Sequence, residues 1–306
     1  MWGAPGSGKT TFLAALSIAL NRQHERWTLV GLDDASSDAL DHMTTGLITG
    51  LRFPAATTGV ERYHWSLVGE IESVRRRWGR ARRGATRSVA IDMDVLDPPG
   101  ESFASGRAGL VTRAKLVDAL VESRGIVYLF DPLREFEKGD AFDHLHGALI
   151  QLGQRMLERN EFTGGRLPHH VAICIAKYDE IRVLETARRM QLATVDPDDP
   201  LGFPRVDDDE AFDLFKVLCG VSARGDGELI YGTLEKYFHP SRIRYFASSA
   251  VGFYVDPRVG AYNPDDFQNV FPDSTGLQRI RGSVHPINVA EPVLWLGRSL
   301  AAEQEA

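Results

Sequence analysis

The apolar positions along the chain fall into two kinds of pattern. "GIVYLFD" (125–131), "HVAICIAKYD" (170–179) and "RIRYFASSAVG" (242–252) are compact runs with little polar interruption. Strands covered on both faces, as in parallel sheets, read this way. "RYHWSLVGEI" (62–71) and "SVAIDMDVLD" (88–97) instead alternate, as half-buried strands do. Between that pair lies "ESVRRRWGRARRGATR", which reads as the charged turn of a long hairpin. "WTLVGLDD" (27–34) reads as a short strand or a loop. Helical spacing marks "TTFLAALSIAL", with Phe12, Leu13, Leu16 and Leu20 on its apolar side, and "SSDALDHMTTGLITGLRF", which breaks at "FPAATTG". Further helices are expected at roughly 106–123, 140–160, 180–193, 209–219, 228–238 and 290–302. Strands alternating with helices predict an α/β fold: a mostly parallel sheet with one antiparallel strand, wrapped by helices on both faces. Residues 1–306 read as a single domain with a helical insertion at about 180–240, a lid or partner-docking subdomain. Within it, "DPDDPLGFPRVDDDE" (196–210) reads as an exposed acidic loop.

Composition changes little in this picture. Of 306 residues, 43% are hydrophobic, enough for a sizeable core. The net charge of −7 gives no global nucleic-acid signature. No uninterrupted apolar stretch is long enough to span a bilayer, and no signal peptide is visible, so a cytoplasmic protein is expected. Cys174 and Cys219 read as core residues. His144, His146, His169 and His170 lack metal-ligand spacing.

The candidate chemistry begins at the first helix. "GAPGSGKT" (3–10) satisfies the phosphate-loop pattern through Gly3, Gly8, Lys9 and Thr10. Gly6 and Gly8 let the backbone turn its N–H groups inward around a polyanion, together with Ser7. Lys9 reaches the β- and γ-phosphates, and the Thr10 hydroxyl is placed to ligate Mg²⁺. Thr11 joins the phosphate-facing set, and the following helix aims its N-terminus at the ligand. Such a loop normally follows a buried strand of about five or six residues, but only Met1 and Trp2 precede this one. The first core strand is therefore expected to be missing or truncated, with a true start upstream of Met1. The alternative is that "WTLVGL" fills its slot.

In open α/β sheets the ligand lies beyond the carboxyl ends of the strands. Those ends read Asp97-Pro98-Pro99-Gly100-Glu101, Ala176-Lys177-Tyr178-Asp179 and Ser248-Ser249-Ala250-Val251-Gly252. Asp97 can hold Mg²⁺ through water, the Gly100 N–H can meet a γ-phosphate, and Glu101 can orient an attacking water.

In these stretches the chain resembles a GTPase of the TRAFAC class of phosphate-loop NTPases. GAPGSGKT, the threonine of FPAATTG, DPPG, AKYD and SSA occur in that class's order over residues 3 to 252. Within the class it is similar to bacterial double-GTPase domains of conflict and signalling systems. The resemblance implies a three-layer sandwich that binds GTP or GDP with Mg²⁺ and signals to protein partners. It implies that Thr10, a switch threonine and Asp97 serve the metal. Thr57 fits that switch position better than Thr58, through its Phe-Pro-x-x-Thr spacing. It further implies that Lys177 packs over the base and Asp179 accepts from the guanine N1 and N2 hydrogens. The Ala250 N–H would meet guanine O6, with Ser248 and Ser249 shaping that loop.

Two departures qualify the resemblance. Ala176 stands where the base motif usually has Asn or Thr, so it cannot tie the base loop to the phosphate loop. One lost hydrogen bond costs about 0.5–1.5 kcal/mol. Glu101 stands where Gln is usual. It accepts from water but cannot donate to the γ-phosphate, and its charge opposes that phosphate, so intrinsic hydrolysis is expected to be slow. No arginine finger can be assigned among Arg52, Arg62 and Arg107. A phosphate-loop ATPase or small-molecule kinase, and a nucleotide-binding scaffold without turnover, remain as alternatives.

Overall fold

The computed structural model describes residues 1–23, 27–55, 61–77, 80–97 and 107–304. A four-stranded parallel sheet is formed by β1 (Trp2–Gly3), β5 (Gly125–Phe130), β6 (His170–Ile175) and β9 (Ile243–Ala247), in the order β1-β5-β6-β9. The three longer strands are the three compact apolar runs. All six residues of β6 are buried, as a strand with a neighbour on each side and helices above and below must be.

Alternation along the strands assigns each face its partners. Ile126, Tyr128 and Phe130 of β5 and Val171, Ile173 and Ile175 of β6 join one core. It also holds side chains of α3 (Arg107–Glu122), α5 (Ala141–Glu158), α7 (Ala211–Gly220) and α8 (Glu228–Tyr237). Leu129 and Cys174 face the other way, into a second core with α1 (Lys9–Arg22) and α9 (Ala290–Gln304). The parallel sheet is thus the middle of three layers.

Two short helices complete this half of the molecule. α4 (Pro132–Lys138) follows β5, and α6 (Ile181–Arg189) follows β6. β7 (Ala193–Val195), just before the acidic stretch, and β8 (Pro204–Val206), within it, form an antiparallel pair. That stretch is therefore not wholly an exposed loop, for Phe203 and Val206 are buried. The rings of Phe215 and Phe130 meet edge-on at 4.9 Å. The segment read as an insertion therefore packs into the larger core. β10 (Val270–Pro272) and β11 (Gln278–Ile280) form another antiparallel pair, which the sequence pattern did not announce.

The antiparallel part is more than the expected single strand. β2 (Trp27–Gly31), β3 (Glu61–Arg77) and β4 (Arg80–Asp97) form a sheet of their own, hydrogen-bonded in the order β2-β3-β4. "WTLVGL" accordingly does not fill a slot beside β5. Its alternating burial, with Trp27 inside and Thr28 and Val30 less covered, suits an antiparallel edge rather than a central parallel position. The charged stretch is strand, not turn: the ladder continues through Arg75↔Arg82 to Arg77↔Arg80. Backbone pairing does not need apolar side chains. Beyond Gly69, where β2 ends its pairing, β3 and β4 run on as a two-stranded ribbon roughly 25 Å long.

α1 joins the two sheets. Phe12, Leu13, Ala14, Ala15, Leu16, Ile18, Ala19 and Leu20 are all buried, so the helix is covered nearly all round. Its core also holds Trp65 and Leu67 of β3, Val95 of β4 and Met43 and Leu47 of α2 (Asp34–Ile48). β1 is two residues long and pairs with β5 through Trp2↔Tyr128 and Gly3↔Leu129. The Trp2 ring packs edge-on against Tyr128 at 5.1 Å. Among the described residues, no helix is long and apolar enough to cross a membrane.

Candidate functional site

Because β1, β5, β6 and β9 are parallel, their carboxyl ends lie along one edge. The loops that follow them carry the chemistry read from the sequence. The first is 4–8. Gly6 and Gly8 have φ of 74° and 86°, a region that side chains with a Cβ adopt at a cost. A Cβ on Gly3 would sit 2.7 Å from the Leu129 carbonyl oxygen, so only glycine fits where the loop leaves the sheet. Gly8 caps α1 in the left-handed conformation with no side-chain cap, which leaves the helix N-terminus open to an anion. The Ser7 hydroxyl is buried with no hydrogen-bond partner among the described residues. A buried orphan hydroxyl of that kind is costly and suits a ligand oxygen. Lys9 is buried and its ammonium donates to the carbonyls of Gly3 and Ala4, both at 3.2 Å. Thr10 and Thr11 lie on the first turn of α1 and are partly exposed.

The loops after β6 and β9 are hydrogen-bonded to each other. Ala176 continues the ladder to Phe130, and Tyr178 N–H donates to the Ser248 carbonyl at 3.0 Å. Lys177 between them has φ 59°. The Ser249 hydroxyl donates to the Asp179 carboxylate and accepts from Gly252 N–H at 2.8 Å. The Ser248 hydroxyl donates to the Asn288 carbonyl at 2.7 Å, and Asn288 donates back to Ala247 at 3.1 Å. The residues expected to read a base are thus held by hydrogen bonds among themselves and their neighbours. Ala250 is partly exposed beside them. Burial pushes the Asp179 carboxyl up to about 6, against the lowering effect of the Ser249 hydrogen bond.

The loop after β5 supplies residues that the sequence reading passed over. Asp131 is buried and caps α4, accepting at Oδ1 from the backbone of Leu133 (3.1 Å) and Arg134 (3.3 Å). Its Oδ2 accepts from Lys177 at 2.6 Å. Arg134 donates to the Pro5 carbonyl of the phosphate loop at 3.2 Å and forks onto Asp140 at 2.8 and 2.6 Å. Burial raises the Asp140 carboxyl, but the Arg134 hydrogen bonds and charge outweigh it and hold the group below the usual carboxylate range. The Asp-Pro pair at 131–132 was the available signal, since Asp before Pro marks a helix start.

No protein-family model, no curated protein and no solved structure matches this chain.

Asp97 closes β4, directly opposite Glu61, the first residue of β3. Glu61 and Asp97 therefore stand side by side at one end of the hairpin. Thr57, Thr58, Gly100 and Glu101 lie outside the described residues, and so does the Asp97 side chain. The histidines are packed rather than convergent. His169 is buried against the Leu120 carbonyl at 2.9 Å, and burial pushes it down to about 4. Cys174 and Cys219 are free, buried thiols, and burial raises both.

Proposed function

We propose that this chain is a GTP-binding and GTP-hydrolysing regulatory switch of the TRAFAC kind, dependent on Mg²⁺. The observation that carries the reading is a single line of contacts along one sheet edge. It runs from the phosphate loop through Arg134 and Asp131 to Lys177, Asp179 and Ser249. A phosphate cradle and a fixed carboxylate acceptor, two strands apart, suit the two ends of a guanine nucleotide. Asp179 supplies two acceptor oxygens for the guanine N1 and N2 donors. Adenine has no such pair of donors and would leave the carboxylate unpaired, which is why a carboxylate discriminates.

On this reading Lys9, with the backbone of Gly6, Ser7 and Gly8, holds the β- and γ-phosphates. Thr10, Thr57 and Asp97 hold Mg²⁺, which when bound offsets the phosphate charge. Gly100 meets the γ-phosphate and Glu101 orients water, with slow intrinsic turnover because a carboxylate cannot donate. A cytoplasmic setting and protein effectors belong to the same proposal.

The test is nucleotide binding and hydrolysis by Lys9→Ala and Thr10→Ala chains. Lys9→Ala should weaken GTP by roughly ten- to a hundredfold, the value of hydrogen bonds to a charged group. Thr10→Ala should reduce only the Mg²⁺-dependent part of the affinity. Normal binding and turnover by both variants would remove the phosphate-loop reading.

A further inference from the structure

On the guanine-nucleotide reading, we infer that Asp131 and Arg134 couple the base loop to the phosphate loop, the tie that Ala176 cannot make. Ala176, directly after β6, ends in a buried methyl group, which can make no hydrogen bond. The tie is made from the strand that lies between them. β5 sits between β1 and β6, and the first residues after it reach both ways.

Toward the base loop, Asp131 Oδ2 holds the Lys177 ammonium at 2.6 Å. Its carboxylate is almost fully buried, with 3% of the side chain exposed against 36% for Lys177. A buried carboxylate that loses its cation is strongly destabilised, so the pair holds the Lys177 stem in one direction. Toward the phosphate loop, Arg134 donates to Pro5 at 3.2 Å. Its guanidinium is fixed by the bidentate fork on Asp140, a geometry that a flexible ammonium cannot reproduce. Asp131 Oδ1 also accepts from Arg134 N–H, so the two halves of the bridge share one helix start. Displacing Lys177 therefore pulls on the N-terminus of α4, which carries the side chain that touches Pro5. Asp131 and Arg134 are positioning residues: both act on nucleotide through the loops they hold.

The carboxylate's two oxygens divide the work, which provides a clean variant. Asp131→Asn keeps an oxygen for the α4 cap and replaces the acceptor facing Lys177 with an amide NH₂. Arg134→Ala opens the other end, and Arg134→Lys keeps one donor for Pro5. Affinity for GTP, which spans both loops, is measured beside affinity for inorganic tripolyphosphate, which meets only the phosphate loop. Thermal melting of each variant is followed in parallel.

Asp131→Asn and Arg134→Ala should each weaken GTP about tenfold while tripolyphosphate changes less than about twofold. The double variant should be no weaker than about the worse single one, since either break opens the same bridge. Arg134→Lys should recover part of the loss. Equal losses for GTP and tripolyphosphate, or multiplicative losses in the double variant, would overturn the bridge. So would unchanged GTP affinity in both single variants, with the GTP-binding reading left standing. An unmutated chain that prefers ATP would overturn the guanine reading and the bridge with it.

Discussion

The parallel sheet and the antiparallel sheet are built on opposite terms. In the first, β6 is buried along its whole length and the loops at its end are fastened to one another by side-chain and backbone hydrogen bonds. In the second, burial alternates: Trp65 and Leu67 are inside while Val68 is 39% exposed. Its hairpin then runs past β2 as a two-stranded ribbon. On the proposed function, the parallel half holds a preformed binding surface for a base and a phosphate cradle. The antiparallel half packs on α1 and ends at the paired Glu61 and Asp97. A site that must recognise the same ligand each time benefits from being locked.

The largest effect that would test the contrast is on stability. Ile173→Ala in β6 removes a side chain with no exposure and should cost about 2–5 kcal/mol. Val68→Ala in β3 should stay within about 0.5 kcal/mol, as for surface substitutions. Urea denaturation of both variants decides the matter. Similar costs would mean the two sheets do not differ as described.

A smaller effect sharpens the picture of the locked half. The raised pKa of Asp179, about 6, means that its carboxyl becomes protonated as pH falls through 6. A protonated carboxyl cannot accept from both guanine donors. GTP affinity should therefore drop about tenfold between pH 7 and pH 5, with the step absent in Asp179→Asn. Stability runs the other way for this group. Its native pKa lies above the unfolded value, so its contribution is present below pH 4 and is lost as pH rises toward 6. His169 and His285, both pushed by burial to about 4, oppose it, because they add stability as pH rises from 4 to 6.5. Binding measured by calorimetry across that range is the informative readout, since melting temperature mixes opposing groups. A flat affinity profile in the unmutated chain would remove Asp179 from the base site.

How far the sequence announced all this also differs between the halves. β6 was legible because burial on both faces demands uninterrupted apolar residues, and β5 and β9 because apolar residues dominate them despite partly exposed positions. The turn at Gly6 and Gly8 was legible because glycine adopts a positive φ at least cost. The extent of β3 and β4 was not, since arginines that pair through backbone carry a charge pattern that resembles a turn. β7 and β8 were hidden for a related reason, as short strands flanking acidic and proline residues. Asp131 and Arg134 were missed because their partners are Lys177 and Pro5, up to 129 positions away in the chain. Local pattern cannot announce such contacts.

The central claim is that this edge reads guanine, and it is tested most directly by comparing GTP with ATP in the presence of Mg²⁺. Calorimetric titration of the unmutated chain should give GTP the tighter binding by roughly a hundredfold or more. Asp179→Asn should move the preference toward xanthosine triphosphate, whose base offers an acceptor where guanine offers a donor. ATP binding as tightly as GTP, or GTP affinity unchanged by Asp179→Asn, would contradict the account.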